Sequence, residues 1–477
     1  MPGMSGSRPA QRSGDAFALD LEHAEAILPR YEGPGPRYTS YPTAPVWSTS
    51  YRAEDFERDL PLLASDAGLS LYAHVPFCSS LCHFCACNRI ITHDVALPER
   101  YLDAIAREID AVRALAGDPA PAAQLHWGGG TPTHLSPPQI RRLFHALTDA
   151  FPLRPGAEIS IEVDPRVTTR EQVETLRELG FDRISLGVQD VEPRVQQAIH
   201  RIQPAAMTAQ LVDDARRAGF ASVNFDLIYG LPFQREESFT RTLDTVLAIG
   251  PDRIALYSYA HVTWVAKQQR GFERQDLPDA ATKLRILLLA IRRLLRAGYV
   301  YVGMDHFARP DDELARALRD RTLRRNFMGY TTQADTALLG FGPSAISELP
   351  ASYAQNEREL GAWEQAVLAR GVATLRGHRL SADDAERRFV IGRIMCHGEI
   401  DAAEWNARFG RSFAEVYARE LESLDTLEAD GLVLRESEGS VRVTPLGRLL
   451  VRNVAMAFDA YLPEQQRAGA RLFSRAV

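Results

Sequence analysis

The sequence predicts an α/β fold: a partial (β/α)6 barrel, with an extended segment before it and a mainly helical, winged-helix-like domain after it. Two observations predict the barrel. Between residues 70 and 260, short β-rich runs alternate with amphipathic helical runs, which implies parallel strands joined by right-handed crossovers. Glycine, proline and isolated polar residues gather where the strand runs end, the edge at which barrel and open α/β enzymes build their sites. Six strand–helix units occupy this stretch, which is short of a complete eightfold barrel.

An N-terminal extension over 1–52 comes first. Its segment 33–43, GPGPRYTSYPT, has too much proline and glycine for a helix and too many aromatics for a plain linker. It is expected to lie extended, packed on the barrel. The catalytic domain is placed at 53–286, with strands at 71–75, 124–127, 158–163, 183–188, 222–228 and 253–258. Helices are expected between them at 99–115, 138–150, 170–179, 205–218 and 237–249. A C-terminal domain fills 287–477, its start falling within a helix expected over 283–297. Loops are expected at 304–309 and 326–347, then helices, a small β-wing over 431–443 and a helix from Leu446.

The composition is that of a soluble globular protein, and a net charge of −7 argues against a nucleic-acid binder or a basic membrane-surface protein. Residues 1–15 are rich in Gly, Ser and Arg and contain no apolar run, so no secretory signal is read there. The most apolar helical stretch, 284–295, is interrupted by Arg285, Arg292 and Arg293, which removes any membrane span. A cytoplasmic protein is expected.

Four of the five cysteines, Cys78, Cys82, Cys85 and Cys87, fall within ten residues. That crowding suits a metal or redox site better than a disulfide framework. The first three have C-x3-C-x2-C spacing. Three thiolates close in sequence can wrap one iron–sulfur cluster and leave one iron without a protein ligand. An open iron can bind the amino and carboxylate groups of S-adenosylmethionine, and one-electron reduction through it can cleave the sulfonium bond to a 5′-deoxyadenosyl radical. A zinc site, with His83 or Cys87 as fourth ligand, is the alternative that spacing leaves open.

The stretch from Tyr72-Ala-His-Val-Pro-Phe-Cys78 to Cys87-Asn-Arg89 resembles the radical S-adenosylmethionine superfamily. Within it, the chain from about Tyr31 onward is similar to the oxygen-independent coproporphyrinogen III oxidase family. GPRYTSYPT at 35–43, LHWGGGTPT at 125–133, ISIEVDP at 159–165 and LGVQD at 186–190 carry the likeness. NFDLIYGLP at 224–232, GMDHFARPDDELA at 303–315 and GYTTQADT at 329–336 continue it.

The resemblance implies a radical-SAM barrel that holds a 4Fe-4S cluster through Cys78, Cys82 and Cys85 and binds two S-adenosylmethionine molecules. It implies that the cluster-bound molecule lies against Tyr72, Gly129, Glu162 and Ile346. The second would lie against Phe84, Gly130, Thr131, Gln189, Arg201, Asp226 and Ala260. Glycine admits close backbone approach, carboxylates can accept ribose hydroxyls, and Arg201 can fork onto a carboxylate. The fourth cysteine, Cys87, is expected beside the substrate or the second S-adenosylmethionine rather than on the cluster. The substrate implied is coproporphyrinogen III, two of whose propionates become vinyl groups, with an electron donor and an electron acceptor as further partners. Arg37, Arg89 and Arg309 are candidates for its carboxylates. A monomer without nucleic-acid partner or membrane insertion is expected.

Two positions depart from the family pattern. Met328 stands where an amide is common, and Trp264 follows Val-Thr where His-Leu-Pro is common. Three other readings compete: a haem chaperone with the same triad, a radical enzyme that methylates or opens haem, and a nucleic-acid-binding winged helix. The chaperone normally lacks Cys87 and the RYTSYPT segment, so both favour the oxidase, and no basic stripe marks the wing.

Overall fold

The computed structural model describes residues 20–63, 68–263, 266–333 and 336–463. Strand β1, Leu69–Val75, is buried at every position except Tyr72, as a parallel strand covered on both faces must be. It is followed by β2, Ala122–Gly129, β3, Leu153–Val163, and β4, Arg183–Gln189. Then come β5, Ser222–Tyr229, and β6, Arg253–Ser258. These six pair in sequence order, all parallel. The six expected strands are all present, with ends displaced by up to five residues.

The crossover helices are α1, Ala96–Leu115, α2, Pro137–Ala150, α3, Arg170–Glu178, α4, Ala205–Ala218, and α5, Glu236–Ile249. A sixth, α6, Ala280–Arg296, packs on α5, so neighbouring helices form a continuous outer row. Local signals fix their ends. Thr169 Oγ1 accepts from Gln172 N at 3.2 Å while Gln172 Oε1 accepts from Thr169 N at 2.8 Å, a reciprocal cap on α3. Gly219, with φ of +95°, ends α4 in the left-handed conformation that glycine adopts without strain.

The later chain adds strands where loops were expected. Residues 304–309 contain part of an antiparallel pair, β7, Val300–Gly303, and β8, His306–Ala308, which extends the sheet beyond β6. Residues 326–347 belong to a hairpin, Arg324–Asn326 with Gly329–Thr331, and to β9, Ala337–Phe341, which lies parallel to β1. Beyond β9 come β10, Ile346–Leu349, β11, Ser352–Asn356, and β12, Thr374–Arg379. The sheet order is β12-β11-β10-β9-β1-β2-β3-β4-β5-β6-β8-β7. Glycine hides β9 from the sequence pattern. A Cβ on Gly340 would lie 2.4 Å from the Ile346 carbonyl oxygen, so only glycine fits this tight turn back.

The main core lies between the sheet and its outer helices, around Leu71, Trp127, Phe181, Phe225 and Ile291. A second core joins Tyr38 and Tyr41 of the N-terminal segment to Val390, Trp405, Phe413 and Val454 of the C-terminal helices. The Tyr38 hydroxyl donates to Asp459 at 3.0 Å, and Ala460 N donates to the Tyr41 hydroxyl at 3.0 Å. Trp47 stacks on Tyr353 of β11, with ring centroids 5.1 Å apart. The expected wing is a three-stranded antiparallel sheet of Glu399–Ile400, Val441–Val443 and Val433–Arg435. Among the described residues no helix is long and apolar enough to cross a membrane.

Candidate active site

The four clustered cysteines occupy the loop after β1. Phe77–Cys78 pairs in parallel with Ile90–Ile91 and closes that loop on itself. The Cys78 sulfur lies 3.3 Å from Thr131 Oγ1. The Cys82 sulfur accepts from Arg166 Nη2 at 3.3 Å and Arg201 Nη1 at 3.6 Å. Both guanidinium groups also bind Asp164, at 2.6 Å and 3.0 Å. On the other side, the Gln269 amide donates to Phe84 O at 3.0 Å and to Ala260 O at 3.1 Å, and Gln268 donates to Cys85 O. The loop is thereby tied to the segments after β3, β4 and β6.

Burial pushes the Cys78 thiol up to about 11. A hydrogen bond from the Cys87 thiol brings Cys85 down to about 6 and leaves the proton on Cys87. Among the described residues, no three His, Cys, Asp or Glu side chains form a site for a single metal ion. The donor set offered by the loop is three thiols in reach of O–H and N–H donors, which suits the sulfur-rich ligation of an iron–sulfur cluster. Beside it, a Cβ on Gly130 would lie 2.5 Å from Pro76 O and one on Gly129 2.8 Å from Val75 O. These two glycines bring the backbone after β2 hard against the cysteine loop.

Below the loop, alternate residues of the strands point into the barrel lumen, because side chains along a strand repeat with period two. The register sets Tyr72 beside His126, His126 beside Ser160, Glu162 beside Ser185 and Ser185 beside Asn224. Glu162 accepts from Gly129 N at 3.4 Å and faces His126 Nε2 at 3.6 Å. Burial raises the Glu162 carboxyl, but His126 and the Gly129 N–H outweigh it and hold it below its usual range. Tyr72 stacks on His126, with centroids 5.9 Å apart, and its hydroxyl meets His74 Nδ1 at 3.1 Å. His74 Nε2 lies 2.9 Å from Asn88 O. A carbonyl only accepts, so Nε2 carries the proton and Nδ1 accepts from Tyr72.

Asp226 accepts from Asn224 Nδ2 at 2.9 Å and from Ser185 Oγ at 3.2 Å. Burial, then the Glu162 charge, push its carboxyl up to about 7. A lumen cavity of roughly 130 Å³ is bordered by His126, Glu162, Asp226, Tyr257, His306 and Met328. Two carboxyl groups of opposite shift thus face one polar chamber beneath the thiols. Such an arrangement can bind hydroxyl and cationic groups and hold a proton at Asp226 near neutral pH.

The other residues singled out by sequence lie in several places. Gln189 ends β4 at φ of +66°, and Arg201 spends its guanidinium on Asp164, Cys82, Gln203 and Gly187 O. Ile346 begins β10, two strands from β1. Arg37 pairs with Asp305, and Arg89 donates to Cys87 O at 2.9 Å. Arg309 donates to Pro251 O at 3.3 Å, at the amino end of β6, so it is on the wrong side of the sheet to meet a substrate at the mouth. Trp264 lies outside the described residues. His126, Asp164, Arg166, Ser185, Asn224 and Tyr257 are not among the residues the sequence singles out. Polar side chains at alternate positions of otherwise apolar strands were the available signal for His126, Ser185 and Asn224.

The radical SAM superfamily model matches residues 72–246, and the HemN C-terminal domain model matches residues 380–450. The chain is 45% identical over 462 residues to an oxygen-independent coproporphyrinogen III oxidase of a Synechocystis strain, covering 96% of this chain and 98% of that protein. It is 45% identical over 452 residues to the protein of the same name from Escherichia coli K12, with 95% and 98% covered. A solved structure described as coproporphyrinogen III oxidase (HemN) from Escherichia coli, a radical SAM enzyme, superposes with a TM-score of 0.88. It is 44% identical and covers 94% of this chain and all of that one. Likeness at this level spans the cysteine loop, the barrel and the C-terminal module together, and the chain belongs to the oxygen-independent coproporphyrinogen III oxidase family of radical SAM enzymes.

Proposed function

We propose that this chain converts two propionate side chains of coproporphyrinogen III to vinyl groups without oxygen, giving protoporphyrinogen IX in haem biosynthesis. The observation that carries the proposal is the near-full-length likeness, which takes in both the barrel and the C-terminal domain. Each decarboxylation releases carbon dioxide and sends one electron to an acceptor; the donor and acceptor are left as separate partners. Cys78, Cys82 and Cys85 are the residues that would hold a 4Fe-4S cluster. When bound, the cluster and S-adenosylmethionine supply one-electron radical chemistry.

The chain's own groups then have distinct tasks. Arg166 and Arg201 keep donors on the Cys82 sulfur, and their shared Asp164 fixes both guanidinium planes. Tyr72, Gly129, Glu162 and Ile346 would border one S-adenosylmethionine. Phe84, Gly130, Thr131, Gln189, Arg201, Asp226 and Ala260 would border a second. The Glu162 carboxylate stays ionised beside His126 and can accept ribose hydroxyls, whereas Asp226 can carry its proton to near neutral pH. Cys87, exposed and paired to Cys85, is left for contact with a bound molecule. The chain is read as an extension over 1–52, a catalytic domain over 53–286 and a C-terminal domain over 287–477, acting as a cytoplasmic monomer.

The test is anaerobic incubation of reconstituted protein with coproporphyrinogen III, S-adenosylmethionine and a strong reductant. The expected products are protoporphyrinogen IX and two equivalents of carbon dioxide. Unchanged tetrapyrrole under conditions that reduce the cluster would overturn the proposal.

A further inference from the structure

Next to the lumen, the charges of three arginines from distant parts of the chain act on one carboxylate, and one of the three pairs with it. Arg37 of the N-terminal segment pairs with Asp305, in the turn between β7 and β8, and lies 5.6 Å above the ring of Tyr257. Arg325, in the hairpin, lies 4.8 Å above the ring of Tyr330, and its Nε and Nη1 are buried with no hydrogen-bond partner. Arg452, on the helix Val451–Met456, donates to Gly35 O at 3.3 Å. It borders a second cavity, of roughly 40 Å³, with Tyr229, Ser258, Met304 and Asp305. His306, the residue after Asp305, borders the lumen. Its ring packs edge-on between Tyr257, at 6.1 Å, and Tyr330, at 5.3 Å, and its Nδ1 is also buried without a partner.

The electrostatics show a surplus of positive charge. Burial would raise the Asp305 carboxyl, yet Arg37, Arg452 and Arg325 hold it below its usual range. The guanidinium of Arg452 is brought down to about 10, by burial first and then by Arg37 and Arg325. His306 falls to about 3, through burial and the nearby arginines, against the pull of Asp305. Buried donors that stay unpaired and cations that repel one another are both costly, and a guest carboxylate would relieve both. Tyr257, His306 and Tyr330 border the same lumen as Glu162 and Asp226, and Arg37 and Arg325 lie over the rings of Tyr257 and Tyr330.

We propose that the recess formed by Arg325, Arg37 and Arg452 around Asp305 binds a propionate carboxylate of the tetrapyrrole. This rests on the reading of the substrate given above, because coproporphyrinogen III brings four such carboxylates to the lumen. The recess fixes which edge of the macrocycle faces the cysteine loop, and Asp305 competes with the guest carboxylate for the same guanidinium groups.

The experiment titrates reconstituted holoenzyme into coproporphyrin III, the fluorescent oxidised form of the substrate, and follows quenching. Wild-type turnover of coproporphyrinogen III is measured on the same preparation. If the wild-type enzyme makes no vinyl product, the functional reading fails by itself, whatever the titration gives. With an active wild type, Arg325→Gln is expected to weaken binding by roughly tenfold or more, the loss of a charge-assisted contact. Arg325→Lys should recover part of it. Asp305→Asn, of nearly the same shape, should do the opposite and tighten binding several-fold, a sign that mere structural damage does not produce. Iron content and thermal midpoint report whether each variant folds. Wild-type affinity in folded Arg325→Gln overturns the proposal. If Arg325→Gln does not fold, Asp305→Asn decides: tighter binding upholds the recess, and unchanged or weaker binding overturns it.

Discussion

Cys87 and Cys85 are two residues apart and chemically opposite. The thiol of Cys87 donates to the Cys85 sulfur, which leaves one sulfur poised as a thiolate and the other protonated. Cys87→Ser keeps a donor at that place, so the variant should retain iron after anaerobic reconstitution. Cys78→Ser, Cys82→Ser and Cys85→Ser should each lose most of it. Equal loss in all four, by iron assay, would show that Cys87 is a ligand. Asp226 carries a pH signature. Its folded carboxyl titrates near 7, against about 3.9 in an unfolded chain. Between those values the folded protein holds a proton that the unfolded chain has released. The stabilisation from Asp226 is therefore complete below about pH 4 and is lost as pH rises through 7. Asp226→Asn removes that slope, so its thermal midpoint relative to wild type should climb steadily from pH 5 to pH 7.5. A constant offset across that range would place the titration elsewhere. At this scale the sequence exposed the thiols and the acids, whose types are rare inside apolar strand ends. It could not expose that Arg201 is consumed by Asp164, because that pairing forms only after β3 and β4 are side by side.

At the scale of elements, the turn after β2 shows how a motif becomes geometry. A Cβ at Gly130 would meet Pro76 O at 2.5 Å and Phe77 O at 2.8 Å, both backbone atoms of the cysteine loop. Gly130→Ala must push that loop away, at a cost of about 1–3 kcal/mol for overpacking. Denaturant unfolding should show that loss, and iron incorporation should fall with it. Gly33→Ala, with nothing within 4 Å of its Cβ, should change neither. Equal behaviour of the two variants would show that the close approach at Gly130 does not hold the cysteine loop. The first six strands were legible because their runs are apolar and bounded by turn residues. The first half of β3 was not, because Arg154-Pro155-Gly156 reads as a break, with Gly156 at φ of +75°. The hairpin carrying Arg324, Arg325 and Asn326 is too polar and short to read as strand.

Across the whole molecule, the sheet exceeds its sequence forecast because strands from 300–379 return to both flanks of the six-unit barrel. Nothing local announces such a return; it depends on surfaces that exist only once the barrel has formed. The arginine recess is the extreme case. Arg37 and Asp305 are 268 positions apart and Tyr38 and Asp459 are 421 apart, so no window of sequence contains the site. Chains grow from the amino end on the ribosome, and the hydrogen bonds of Tyr38 and Tyr41 reach to Asp459 and Ala460. A nascent chain therefore carries its thiols and its six parallel strands while the residues that fasten its first segment are still untranslated. The order of synthesis becomes an order of competence: the thiol loop can form early, whereas the arginine recess waits for the helix Val451–Met456.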